Sequence, residues 1–96
     1  MDFFEVLQKS FPNAYPNIPR CGVYIPKNWQ DLLMRMSKEI EDHLLESPIE
    51  GYVVHQIKEK FFGLRYYVEN ADQTIKDIIV KYEQESYKIG AYDADC

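Results

Sequence analysis

The side chains with chemical capacity crowd into one stretch, "IKEKFFGLRYYVE", Ile57–Glu69. Lys58 and Lys60 supply point charges, Arg65 a planar fork of donors, and Tyr67 a flat apolar platform, with Gln56 just upstream. Cations interleaved with aromatics can cradle a phosphate, stack a base or grip a protein surface. The same residues on a hairpin also keep an exposed face soluble and guard a strand edge, and Glu59 and Glu69 partly neutralise the cations. Gln56, Lys58, Lys60, Arg65 and Tyr67 are therefore the candidate binding surface.

Other chemistries find less support. Glu39 and His43 lie four apart on one helix and His55 is on the hairpin, but the spacing is not that of a metal site, so no metal is expected. Cys21 precedes Gly22 in a proline-rich loop, with no nucleophile elbow, phosphate loop or dinucleotide fingerprint in the chain. It reads as a small apolar residue; the role of Cys96 stays open. The carboxylates spread along helix faces, whereas paired acid–base work needs two of them in one desolvated cleft. No catalytic or cofactor-binding residue emerges, and the chain reads as non-enzymatic. Glu39, Glu41, Asp42, Glu46 and Glu50 make an acidic stretch. It is either a solvated helix face or a docking surface for a basic protein.

The totals narrow the partners. A chain of 96 residues is one domain's length, and its net charge of −5 disfavours nucleic acid and anionic membrane as whole-molecule partners. No apolar run approaches the ~20 residues that span a bilayer. The N-terminus "MDFFEVLQKS" has acids where a secretory signal has lysines, so the expected location is the cytoplasm.

These residues need elements to hold them. Asp2 and Glu5 have capping-box spacing ahead of Phe3, Val6 and Leu7, which share one face of a short helix ending by Phe11-Pro12. "PNAYPNIPRCGVYIPKN" is too rich in proline for helix. It reads as extended chain anchored by Tyr15, Ile18 and Tyr24, with "GVYI" available as a short edge strand. Asn28 is placed to cap a main helix in which Trp29, Leu32, Leu33, Met36, Ile40, His43 and Leu44 follow the 3.6-residue period, and Ser47-Pro48 stops it. Arg35, Lys38, Glu39, Glu41, Asp42 and Glu46 fall on its opposite face.

From Gly51 the period becomes two. The alternation predicts a hairpin closed near Lys60–Gly63, with Val53, Ile57, Leu64, Tyr66 and Val68 inward and Gln56, Lys58, Arg65 and Tyr67 outward. Asn70 or Asp72 caps a last helix with Ile75, Ile78, Ile79, Tyr82 and Ser86 on its inner stripe, stopped at Gly90. The fold class is α+β: one domain over residues 1–90, arranged helix–helix–β-hairpin–helix, with the helices on one face of the hairpin and a flexible tail over 91–96. Trp29, Leu33, Met36, Ile40, Ile57, Leu64, Tyr66, Ile75, Ile79 and Tyr82 are its expected core.

The hairpin and last helix carry a resemblance. "QIKEKFFGLRYYVE" followed by "IKDIIVKYEQES" resembles a family of small phage, prophage and bacterial proteins of uncharacterised function. Their recurrent core reads Q-x-K-E-K-F-G-x-L-R-F-Y, with a Gly-Trp-x-x-Leu helix start upstream. The matching positions are Gln56, Lys58, Glu59, Lys60, Phe61, Leu64, Arg65, Tyr66 and Tyr67, with Trp29, Leu32 and Leu33. Phe62 stands where many relatives have glycine, and the Cys-x-x-Cys-Gly-like ending of many relatives is missing from "YKIGAYDADC", so no metal site carries over. The resemblance implies a mobile-element setting. With the small size and acidic charge, it gives the expected function: a non-enzymatic accessory protein that binds and modulates a host protein, such as a defence or nucleic-acid-processing factor, inhibition being the favoured form. The alternative is a nucleic-acid or phosphate-ligand module using the outer hairpin face. A homodimer through an uncovered hairpin edge also fits the pattern.

Overall fold

The computed structural model describes residues 3–16 and 23–90. The elements run α1 (Phe3–Ser10), β1 (Val23–Tyr24), a 3₁₀ turn (Lys27–Trp29), α2 (Gln30–Glu46), β2 (Val53–Lys60), β3 (Gly63–Glu69) and α3 (Gln73–Ile89). This is the α+β arrangement of three helices around a hairpin, with β1 added at the sheet edge. The Asp2 cap, the Ile18 anchor, Cys21 and the 91–96 tail with Cys96 lie outside the described residues.

The sheet runs β1-β2-β3, with β1 parallel and β3 antiparallel to β2. Ile57 faces Tyr66 and Val54 faces Val68 across the ladder. Trp29 from the 3₁₀ turn and Leu32, Leu33, Met36 and Ile40 from α2 meet Ile57, Leu64 and Tyr66 from the sheet and Ile75 and Tyr82 from α3 in one buried cluster. Ile79, expected at the centre, is only partly buried and packs at the cluster's rim. A tyrosine chain runs through the cluster: Tyr66 donates to the Tyr15 hydroxyl at 3.0 Å, and Tyr15 pairs with Ser37. Burial pushes the Tyr15 hydroxyl up to about 12 and Tyr66 well above its ordinary value, so this chain stays protonated at neutral pH.

Four expectations need correction. Val54, not Val53, faces inward, because a bulge between Val54 and Gln56 inserts His55 and shifts the alternation by one residue. Asn28 does not cap α2. It sits in the 3₁₀ turn, and its Nδ2 donates to the Gly90 carbonyl at 2.8 Å beside Trp29 Nε1 at 2.9 Å, tying the start of α2 to the end of α3. Glu41 is buried rather than on a solvated face, because the turn after α1 lies over it. Its carboxylate accepts from Asn13 N at 3.0 Å, Asn13 Nδ2 at 2.6 Å and Ala14 N at 2.8 Å. Tyr15 is the anchor of that crossing segment, whereas Tyr24 is 59% exposed.

The caps of α3 are as the sequence implies. Asp72 Oδ1 accepts from Ile75 N at 3.0 Å, and Gly90 closes the helix at φ 72°, where glycine is favoured. His43 Nε2 lies 2.7 Å from Asp72 Oδ2, and this contact, with the Ile75 amide, holds the Asp72 carboxyl below its usual range.

Candidate functional site

Strand pairing decides which side chains share the outer sheet face. Gln56 faces Tyr67 and Lys58 faces Arg65 across β2 and β3, and directly paired residues point to the same side. Lys60 keeps the same parity beside the turn. The five sequence-predicted residues therefore do come together. Parallel pairing with β1 sets Tyr24 next to Lys58, extending the row to Tyr24–Lys58–Arg65. Lys58 Nζ stands 5.8 Å from the Tyr67 ring centroid, within cation–π range.

Tyr87 enters this face from α3. A β-carbon at Gly63 would sit 2.3 Å from Tyr87 Cζ, so the ring lies across the glycine. Its hydroxyl accepts from Arg65 Nη1 at 2.9 Å. Arg65 Nη1 also donates to the Leu64 carbonyl at 3.2 Å and lies 3.8 Å from Glu83. The Tyr87 hydrogen bond, outweighing partial desolvation, raises the Arg65 pKa above the ordinary arginine value. The guanidinium is thus a fixed part of the surface.

The hairpin turn carries what the sequence reading passed over. Lys60 pairs with Gly63, leaving Phe61 and Phe62 as the two-residue loop. Both have left-handed backbones, φ 54° and 65°, as a type I′ turn requires. That conformation costs an L-residue about 1–2 kcal/mol and is filled by asparagine, aspartate or glycine in most such turns. The rings gain no burial in return: Phe61 is 74% and Phe62 69% exposed. Glu59 Oε2 accepts from Phe62 N at 2.8 Å, and Lys60 Nζ lies 5.6 Å from the Phe61 ring.

The charges of this region are mixed. Glu59 is tied to the turn amide, Glu83 stands beside Arg65, and Glu69 lies 3.5 Å from His55. Lys58 and Lys60 have no ion pair among the described residues. The acidic stretch on α2, in contrast, is largely committed internally. Glu41 is buried, Asp42 pairs with Lys38 at 3.1 Å, and Glu39 receives Lys81 at 2.8 Å and the Tyr82 hydroxyl. Burial alone would raise the Glu39 carboxyl, but these bonds outweigh it and lower it.

Among the described residues, no group of three or more His, Cys, Asp or Glu is placed to hold a metal ion. Among them, no helix is long and apolar enough to cross a membrane. No family model, curated protein or solved structure matches the chain in comparison with known proteins.

Proposed function

We propose that this protein is a binding module that acts by docking another protein on its outer sheet face and hairpin tip, with no catalytic step of its own. The observation that carries the reading is the set of exposed aromatics Tyr24, Phe61, Phe62, Tyr67 and Tyr87, each between 44% and 74% exposed and distributed over the strands of one sheet face, its turn and the neighbouring helix. Exposed aromatic area set among fixed polar groups is the composition of protein interfaces. The balance of Glu59, Glu69 and Glu83 against the cations supports a protein partner over a polyanion. The resemblance to phage and bacterial proteins adds the setting: an accessory protein of a mobile element, with a host protein as target and inhibition as the outcome.

Affinity capture from bacterial lysate tests this. The wild-type chain is expected to retain a specific protein that a Tyr67→Ala/Lys58→Glu variant loses. Equal retention by both chains contradicts the proposed surface.

A second reading has one observation in its favour, the Lys58 ammonium over the Tyr67 ring beside Tyr24, an arrangement able to stack a base and neutralise its phosphate. Labelled single-stranded oligonucleotides decide it. Binding that weakens with salt and disappears in Lys58→Glu/Arg65→Glu supports the nucleic-acid module.

A further inference from the structure

We propose that Phe61 and Phe62 are the anchor of this interface: a two-ring knob held out by the turn, fitting an apolar pocket on the partner whose rim carries carboxylates. The inference rests on the protein-docking reading and adds the chemistry of the partner.

Conformation is the first argument. The turn sets two bulky residues at φ 54° and 65°, where glycine and asparagine are at ease. Rings that stay 74% and 69% exposed give nothing back to the fold. A Phe-Phe turn is therefore worse for the isolated chain than Asn-Gly, and strain of this kind gathers where a residue is presented to a partner. Presentation is the second argument. The Phe62 amide is fastened to Glu59 at 2.8 Å, and the short loop fixes where both rings leave the backbone. Rigid aromatics lose little entropy on docking, so they dominate binding energy when they fill a pocket.

Charge identifies the rim. Arg65 is committed to Tyr87 and Glu83, and Glu59 to the turn, so Lys58 and Lys60 are the uncompensated charges beside the knob. Carboxylates around the pocket complement them. A single strand of nucleic acid calls for a tracking groove of cations along its backbone. Two lysines on β2 leading up to a protruding apolar tip suit a pocket with acids on one side better than a groove.

The test has two parts. Phe61→Asn/Phe62→Gly relieves the turn, and its Tm is expected to rise by at least about 4 °C. A fall in Tm makes the rings structural and overturns the proposal. In the second part, a displayed library of random peptides is selected on the wild-type chain. Enriched peptides are then titrated against Phe61→Asn/Phe62→Gly, Lys58→Glu/Lys60→Glu and Tyr67→Ala. The expected peptides join apolar residues to Asp or Glu and bind the first two variants at least ten-fold more weakly. Peptides indifferent to the knob variant but weakened by Tyr67→Ala leave the docking face standing and overturn the knob. No enrichment, enrichment without acidic residues, or knob-dependent binding of oligothymidine or anionic vesicles in place of peptides overturns the partner assigned here.

Discussion

Glu41 gathers two backbone amides and the Asn13 side chain, 27 and 28 residues away in sequence, into one buried carboxylate. Removing it in Glu41→Ala strands the Ala14 and Asn13 amides, and urea denaturation is expected to show a loss of about 1–3 kcal/mol. Nothing local marks this residue. It occupies a position that helical periodicity assigns to the wet face, and only the turn after α1 makes it internal. Asp72 is the opposite case, since a cap is read from its neighbours alone. Its carboxyl is lowered by His43 first and the Ile75 amide second, so its folded-state pKa lies below the unfolded value. The stabilisation is then present above about pH 4, the ordinary aspartate value, and lost as pH falls through the folded pKa. Asp72→Ala is expected to cost about 1 kcal/mol at pH 7 and to flatten the acid limb of a stability–pH profile measured by chemical denaturation.

Each strand and helix shows what periodicity can and cannot convey. Alternation placed Leu64 and Tyr66 inside and Arg65 and Tyr67 outside on β3, as the structure has them. On β2 the same pattern put Val53 inside. Val53 and Val54 are equally apolar, so the sequence holds no sign of the bulge at His55 that selects Val54. The hairpin turn was located by the change of face at Lys60–Gly63, but its type was not legible, because Phe-Phe carries none of the glycine or asparagine signal of a left-handed loop. Of the two sheet edges, the one beside β2 was legible, since "GVYI" reads as a short edge strand, and the cover on the β3 edge was hidden. The Leu64 N–H points away from β2 and is taken by the Ser86 hydroxyl of α3 at 2.9 Å, while Tyr24 and Val23 pair along part of the other edge. Dimerisation by strand addition therefore meets an occupied backbone donor at Leu64. Ser86→Ala leaves that donor buried and unpaired. A loss of about 1–3 kcal/mol is expected in thermal or urea unfolding, and faster amide exchange at Leu64 would locate the break.

For the whole molecule, the apolar stripes of α2 and α3 and the inner faces of β2 and β3 were enough to define the core, because burial of large side chains is what selects the arrangement. Ile57 is fully buried and Ile79 only partly, so Ile57→Ala is expected to cost about 2–5 kcal/mol and Ile79→Ala less, by denaturation midpoints at equal m-value. The binding face was legible in its strands, which alternation alone arranges, and incomplete at its borders. Tyr24, Phe62 and Tyr87 join it through a parallel edge strand, a strained turn and a neighbouring helix. The central claim is that the face and its tip are where another protein docks. A photo-crosslinking side chain placed at position 62, and in a control at the exposed Val80 of α3, tests this in bacterial lysate. The account predicts one dominant crosslinked protein from position 62 and none in common from position 80; the same products from both positions, or products from position 80 alone, would contradict it.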